Sequence, residues 1–312
     1  MSSKGTDVAI HIAEEATPNT LPATPKFFVV SRTSDSLNET TTTTESETIV
    51  DSRFEQGSSA TGGEAGGTIN FELSAGTQDI FFEGVSGNVF TVDQSDIGTL
   101  EIGGPELKTY TIVKHDKKLG LIEVFSGCRI GELSITGDAE GKITGSITVN
   151  ATGYDDKLTA TPVSNIQPKP NTKFMSAINV DAFKVNGISA VGTACAESFT
   201  ITINNNLTAK RCLGSGSLIP NRYSEGKVSI GLSATVVLTQ TSKVWRENVK
   251  SRDTMTAEIG IEDKAGNSYG FNFTQLELNG AEKSETNQTD EHTLALEFKH
   301  IKSAPTITRI LV

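Results

Sequence analysis

The sequence has little of several features that mark familiar classes of protein. It contains three cysteines in 312 residues, Cys128, Cys195 and Cys212, and no two of them have CxxC spacing. This argues against a disulfide framework and against a zinc site built from thiolates. No apolar run reaches the roughly 18 residues of a membrane-spanning helix. The first residues show no basic segment followed by an apolar one, so no secretory signal is expected.

Motifs of catalysis are also missing from the sequence. The four histidines, His11, His115, His292 and His300, show neither HxH nor HExxH spacing, so they predict no metal site. There is no GxSxG or P-loop motif, and the run GSGS at 214–217 lies in a polar segment with no helix after it. We therefore predict a protein that is not an enzyme and that needs no cofactor or metal.

Aromatic residues and positive charge are scarce. Aromatics make up 6% of the chain, with one tryptophan, Trp245, and four tyrosines. A carbohydrate site would usually show clustered exposed aromatics, and this chain has few to offer. The net charge is −11, and such a chain is not expected to hold nucleic acid by its phosphates.

Threonine, serine and glycine are abundant instead. They number 40, 29 and 29, close to a third of the chain, whereas proline numbers only 9. Threonine is β-branched and favours strands. The composition therefore predicts a soluble, mainly β protein.

Hydrophobic alternation places the elements of the first half. The segment TINFELS (68–74) alternates apolar and polar residues and predicts a half-buried strand. A glycine- and serine-rich loop is predicted before it at 51–67, and a short helix after it at 77–85. Three more strands are predicted at 108–115, 121–136 and 142–151.

The second half repeats this order of elements. It begins with a strand at 197–206 and a long loop at 207–226. A strand at 227–238 and a helix at 241–251 follow. Two strands at 253–262 and 268–280 flank a tight turn, and the last strand is at 292–301. The order and the loop lengths favour an internal duplication. The alternative is that any antiparallel β chain can be aligned with itself in this way.

Two predicted strands carry polar residues opposite their apolar ones. These residues are Asn70 and Glu72 in the first half, and Thr200, Thr202 and Asn204 in the second. A sheet with one apolar face and one such face is typical of a wet surface. The tail at 303–312 ends in an apolar, strand-like stretch, and we expect it to pair with a neighbouring subunit, since an unpaired edge promotes aggregation.

Four segments of the chain carry a family resemblance. These are residues 47–87 and 108–153, and SFTITINNN and DKAGNSYGFNFTQLELNG in the second half. In these segments the chain resembles the tail tube (major tail) proteins of long-tailed bacteriophages. The resemblance covers roughly residues 27–302. It implies a mainly β fold of two tandem tail-tube-like β-sandwich/barrel domains, each with a short flanking helix. The expected division is an extended N-terminal arm, a first domain, a linker with a hairpin, a second domain and a C-terminal tail, at 1–26, 27–158, 159–196, 197–302 and 303–312.

The resemblance also implies a function. It indicates a structural virion protein that assembles into stacked rings, forming the hollow tube through which the genome enters the host. The expected partners are copies of the chain itself, as a trimer with pseudo-sixfold symmetry or a hexamer, and other tail proteins at the tube ends. DNA would pass without specific binding, and no membrane is involved. The protein would be made in the host cytoplasm and reside in the phage tail. The alternative is a non-catalytic β-sandwich binding module that recognises a surface carbohydrate or receptor.

Two sets of residues follow from this hypothesis. Asn70, Glu72, Thr200, Thr202 and Asn204 are predicted to face the lumen. The two long loops are predicted to lie at contacts between rings or subunits, where opposite charges fix the register. Loop 51–67 has a net charge of −2 and loop 207–226 a net charge of +2, from Asp51, Arg53, Glu55 and Glu64 in the first and Lys210, Arg211, Arg222 and Glu225 in the second.

Overall fold

The computed structural model describes residues 2–95, 97–191, 194–284 and 291–312. The protein is mainly β, as the composition predicts. Its first half comprises strands β1 Val8–Glu14, β2 Phe28–Val29, β3 Ser34–Asp35, β4 Asn38–Glu45, β5 Ser58–Glu72, helix α1 Asp79–Ser86, and strands β6 Thr91–Val92, β7 Ile97–Glu101, β8 Tyr110–Asp116, β9 Leu121–Asp138, β10 Thr144–Ala151 and β11 Gly153–Asp155. The second half comprises β12 Val180–Val185, β13 Ile188–Ser189, β14 Ala196–Asn204, β15 Thr208–Lys210, β16 Arg222–Ser224, β17 Ser229–Val237, helix α2 Gln240–Ser251, β18 Met255–Glu262, β19 Ser268–Lys283, β20 Thr293–His300 and β21 Thr306–Ile310.

Local sequence accounts for both helices, and both predictions are confirmed. Helix α1 carries Asp79 in its first turn, where a carboxylate favours the positive end of the helix dipole, and it ends at Gly87 with φ 75°. Helix α2 begins with a capping box, in which the Ser242 amide donates to Thr239 Oγ1 over 3.2 Å. The Gly87 amide thus satisfies the Glu83 carbonyl at the end of α1, and Thr239 satisfies the Ser242 amide at the beginning of α2.

Strand pairing in the first half is organised around β9. The end of β9 pairs with β10, β10 pairs with β5, and β3 and β4 follow one another along the far edge of β5. The beginning of β9 instead pairs with β8 and β11, and β8 pairs in turn with β1. The strand β9 therefore belongs to both groups of strands.

The second half repeats these pairings around β19. The end of β19 pairs with β20, β20 with β17, and β17 with β14. The beginning of β19 pairs with β18 and β21, and β18 pairs with β12. Strand by strand, the second half therefore has the pairing scheme of the first.

The core joins both halves. One continuous cluster of buried side chains contains Phe71 and Ile135 from the first half, Ile201 and Phe271 from the second, and Trp245 from α2. A smaller cluster lies under the N-terminal strand and comprises Ala13, Phe27, Val113 and Ile122. Within the segment 1–26, β1 pairs along its whole length with β8.

Two expectations from the sequence are wrong. The strand β5 begins at Ser58, so most of the predicted loop 51–67 is strand, paired with β4. Its backbone forms the hydrogen bonds of the sheet although its exposed side chains show no apolar alternation. The tail at 303–312 does not offer an open edge, because β21 lies between β19 and β7 of the same chain.

Candidate functional site: a polar sheet face and two charged loops

The polar sheet face is formed by side chains that alternate with the core residues of β5, β10, β9, β14 and β17. The five residues predicted to face a lumen all belong to it. In β5, Asn70 lies between the buried Ile69 and Phe71. In β14, Thr202 lies between the buried Ile201 and Ile203. The predicted residues are thus outside the core, and each is partly exposed.

Strand register joins these residues into continuous rows across the sheet. Asn70 is opposite Ser146, which is opposite Ser134, which is opposite Thr202. The next row runs from Glu72 through Thr144, Thr136 and Thr200 to Ser233, which is opposite Glu297 on β20. The face that the sequence assigned in two separate strands is therefore one surface spanning both halves of the chain.

Hydrogen bonds and an ion pair connect side chains of the polar sheet face. The Oγ1 atoms of Thr136 and Thr200 are 3.2 Å apart, and the Asn204 amide donates to the Glu132 carboxylate. The Glu72 carboxylate is 2.6 Å from Lys142 Nζ, so part of its charge is balanced locally. From Asn70 to Thr202 and from Glu72 to Ser233, the two rows contain small polar residues and one carboxylate. The first row continues through Gly231 to Lys299 on β20.

The first charged loop projects beyond the sheet. Asp51, Arg53 and Glu55 lie between β4 and β5 and are exposed. The same segment exposes two large apolar side chains, Ile49 at 98% and Phe54 at 83%. These apolar residues have no cover within their own chain.

The second charged loop meets the first within one chain. It folds into the small hairpin β15–β16, in which Lys210 is opposite Arg222. From this hairpin Arg211 Nη2 donates to the Gly63 carbonyl over 2.9 Å and lies 3.9 Å from Glu64 Oε1. Arg211 and Glu64, one from each charged loop, are therefore neighbours within one chain, with side chains 42% and 71% exposed.

Sequence reasoning missed the contacts that fix the second loop on the first half. The buried Asn205 amide donates to the carbonyls of Val85 and Ile130, over 3.0 and 3.1 Å. Glu225 pairs with Arg129 and accepts the Leu107 amide. Glu225 therefore anchors the loop, and no local pattern in the sequence indicates its distant partners.

A second unpredicted cluster joins α1 to the end of the chain. The buried Tyr269 hydroxyl donates to Asp79 Oδ1 over 2.6 Å and accepts the Gly76 amide over 2.8 Å. Arg309 pairs with the same carboxylate and stacks over the Phe90 ring. Burial, with the negative charge of Asp79, raises the pKa of Tyr269 well above its usual value, so the phenol remains a donor at neutral pH.

The residues described offer no group of three or more His, Cys, Asp or Glu side chains that could hold a metal ion. Cys128 is buried, and burial raises the pKa of its thiol far above the usual range. In the same described ranges, no helix has both the length and the apolar composition to cross a membrane.

Comparison with known families identifies one match. The profile of the phage tail tube protein family matches residues 5–299, which is nearly the whole chain. No curated protein matches the chain.

Proposed function

We propose that this chain, which belongs to the phage tail tube protein family, assembles into rings that stack into the hollow tube of the tail. Family membership makes it a structural protein of the virion tail, which associates with itself and with other tail proteins. The ring, its symmetry and the passage of the genome are our inferences for this chain. Synthesis in the host cytoplasm is part of the same proposal.

The observation that carries the proposal is the polar sheet face. It is continuous from β5 to β17, and its opposite side is the core of the molecule. A wide barrel made from several copies of this sheet would have side chains such as Asn70, Thr202 and Asn204 on its inner wall. Small neutral groups and carboxylates there would let DNA slide, because they do not bind its phosphates, and the cations beside them, Lys142 and Arg129, are paired with Glu72 and Glu225.

The repeated pairing scheme supports two tandem tube units in one chain, with the boundaries 27–158 and 197–302 predicted from the sequence. Three chains would then supply six units and give a trimeric ring with pseudo-sixfold symmetry. A ring of this kind removes the strand edges that a single copy exposes.

The charged loops support a role in assembly. Asp51, Arg53 and Glu55 are exposed at one end of the sheet, and the second loop keeps Lys210 and Arg222 exposed. We assign these side chains to contacts between subunits or rings, where charge fixes register more than it adds affinity.

Negative-stain microscopy of the purified chain tests the proposal. Rings or hollow tubes, in a fraction that grows with protein concentration, are the expected result. Only monomers at every concentration would contradict it.

A further inference from the structure

The two halves of the chain are joined by the pairing of β9 with β14. The equivalent strand edges, one in each half, remain unpaired within the described part of the chain. Within the chain, residues 198–204 of β14 pair antiparallel with residues 132–138 of β9, and Thr202 is opposite Ser134. This junction extends the sheet from the first half into the second. It uses the outer edge of the first-half strand β9 and the outer edge of the second-half strand β14.

Register makes the two halves equivalent residue by residue at this junction. The pairing of β8 with β9 has Tyr110 opposite Cys128 as its last pair, and a register shift separates this pair from the next one, Ile112 with Phe125. The pairing of β18 with β19 has Met255 opposite Leu276 as its last pair, with a register shift at the same place. Cys128 and Leu276 are therefore equivalent. The residues that follow are Arg129, opposite Asn150, and Glu277, opposite Lys299.

The equivalence continues outward from these pairs. Asn150 is opposite Gly66, and Gly66 is opposite Asn38; Lys299 is opposite Gly231, and Gly231 is opposite Thr202. Asn38 on β4 is therefore the counterpart of Thr202 on β14.

The same counting applies to the other partner of the junction. Ser134 is opposite Ser146 on β10, and Glu282 is opposite Ala295 on β20. A register shift follows Ile130 in β9, and one also follows the equivalent residue Leu278 in β19. Ser134 and Glu282 each lie four residues after these equivalent positions. Glu282 on β19 is therefore the counterpart of Ser134 on β9.

Both counterpart edges are open in a single copy. All residues of β4 are exposed, and β4 pairs only with β5 among the described residues. Residues 277–283 of β19 pair only with β20 in the same part of the chain. Unpaired edges of this length attract further strands.

We infer that β4 of one copy pairs antiparallel with the end of β19 of the next copy, with Asn38 opposite Glu282. This inference rests on the proposed ring and gives it a specific contact. The register also places Thr40 opposite Gly280 and Glu39 opposite Ala281. Each copy carries one edge of each kind, so the contact is head-to-tail and can close a ring.

Side-chain chemistry fits this register. The Asn38 amide can donate to the Glu282 carboxylate on the polar sheet face, as the Asn204 amide donates to Glu132 at the internal junction. On the opposite side of the sheet, Glu39 and Lys283 become diagonal neighbours of opposite charge. All four side chains at this contact are exposed in the single copy.

The first loop occupies the position after β4 that the second loop occupies after β14. The second loop, which continues from β14, is anchored on the first half by Asn205 and Glu225. The first loop, which continues from β4, exposes Ile49 and Phe54 without a cover. Pairing of β4 with the next copy would bring these apolar side chains against that copy's second half, where their burial is favourable.

Disulfide crosslinking of the full chain tests the register. In a background with the exposed Cys195 and Cys212 changed to serine, Asn38→Cys with Glu282→Cys should give covalent oligomers under mild oxidation. The matched control, Glu39→Cys with Glu282→Cys, points the two thiols to opposite faces. We expect at least about tenfold less crosslinked chain in the control, because a disulfide needs Cβ atoms about 4 Å apart.

A second control calibrates the geometry. Thr202→Cys with Ser134→Cys occupies the counterpart positions inside one chain, so it should give a crosslinked monomer. One outcome would overturn the strand pairing but not the proposed tube. In it, rings or tubes are seen and the internal crosslink forms, but no crosslink forms between positions 38 and 282. Absence of both assemblies and intermolecular crosslinks at every concentration would overturn the proposed function as well.

Discussion

Arg309 on β21 and Asp79 in the first turn of α1 form a hydrogen-bonded ion pair that ties the end of the chain to its first half. Both side chains are largely buried, at 17% and 18% exposure. Tyr269 completes the cluster from β19. The helix beside the first sheet is thus held by residues that the sequence places far away.

The substitution Tyr269→Phe tests the strength of this cluster. It removes a buried hydroxyl, which deprives the Gly76 amide and Asp79 Oδ1 of their hydrogen bond while Arg309 still pairs with Asp79 Oδ2. We expect the free energy of unfolding of the unassembled chain to fall by about 1–3 kcal/mol. Urea denaturation measures it.

The control is Tyr154→Phe, which removes the less buried hydroxyl that donates to Glu123 over 3.0 Å. Water can replace this bond, so its loss should cost less than about 1 kcal/mol. Equal losses for the two variants would contradict the importance of the Tyr269 cluster.

The backbone conformation of β5 at Gly66 depends on glycine. Gly66 has φ 134°, which side chains rarely adopt, and a Cβ there would lie 2.1 Å from the Val149 carbonyl oxygen. We expect Gly66→Ala to reduce the free energy of unfolding by about 2 kcal/mol or more. Its counterpart Gly231 has room for a Cβ, the nearest atom being 3.8 Å away. Gly231→Ala should change stability by less than about 1 kcal/mol, and a larger loss there than at Gly66 would refute the requirement for glycine at position 66.

Asp35 gives the stability a dependence on pH. Burial would raise the pKa of Asp35, but hydrogen bonds from Lys114 and Arg32 outweigh it, so the pKa falls below its usual 3.8. A carboxyl whose pKa is lowered on folding stabilises the protein above its unfolded-state pKa, and this contribution is lost as pH falls through the folded-state pKa. Asp35→Asn should therefore destabilise the chain at pH 7, by a difference that shrinks below about pH 4.

Chemical denaturation at both pH values checks this behaviour. The exposed Asp253 has no ion pair among the described residues, so Asp253→Asn serves as the control and should have little effect at either pH. A destabilisation by Asp35→Asn that stays constant with pH would contradict the electrostatic explanation.

Charge reversal tests the second loop in assembly. Changing Lys210, Arg211 and Arg222 to glutamate should reduce the fraction of chain in rings or tubes, since it removes the attraction to the acidic first loop. The unassembled chain should still fold, because these side chains are exposed or partly exposed. Sedimentation and circular dichroism measure the two properties.

Lys26, Lys157 and Lys169 provide a matched control, because they are exposed and lie outside both loops. Their change to glutamate alters net charge equally. Assembly that is impaired to the same extent in both triple variants would attribute the effect to net charge and reject the loop contact.

A lysine on the polar sheet face should make the tube hold DNA. Thr202→Lys adds a cation to the proposed inner wall, so assembled tubes should retain short DNA in a manner that weakens as salt rises. Gln240→Lys adds the same charge on α2, which packs through Trp245 against the core side of the sheet. Retention by the Gln240→Lys tubes but not by the Thr202→Lys tubes would reverse the assigned orientation.

Sequence pattern was sufficient for much of the fold and for part of the candidate site. Alternation around Ile69 and Ile201 identified the core faces and hence the polar residues between them, because period-two burial is local in sequence. The beginning of β5 was missed since its exposed side chains carry no such period. The partners of β21 and of Glu225 were missed because pairing between distant segments leaves no local trace. The charged residues of the loops were visible, but the meeting of Arg211 and Glu64 within one chain was not.

A cryo-electron microscopy density map of the assembled protein at side-chain resolution would show directly whether the polar sheet face lines a tube. We expect a hollow tube whose inner wall carries Asn70, Thr202 and Asn204, with the core of each copy outside that wall. A tube whose lumen is lined by any other surface, or a map that buries these three side chains in the protein interior, would contradict it.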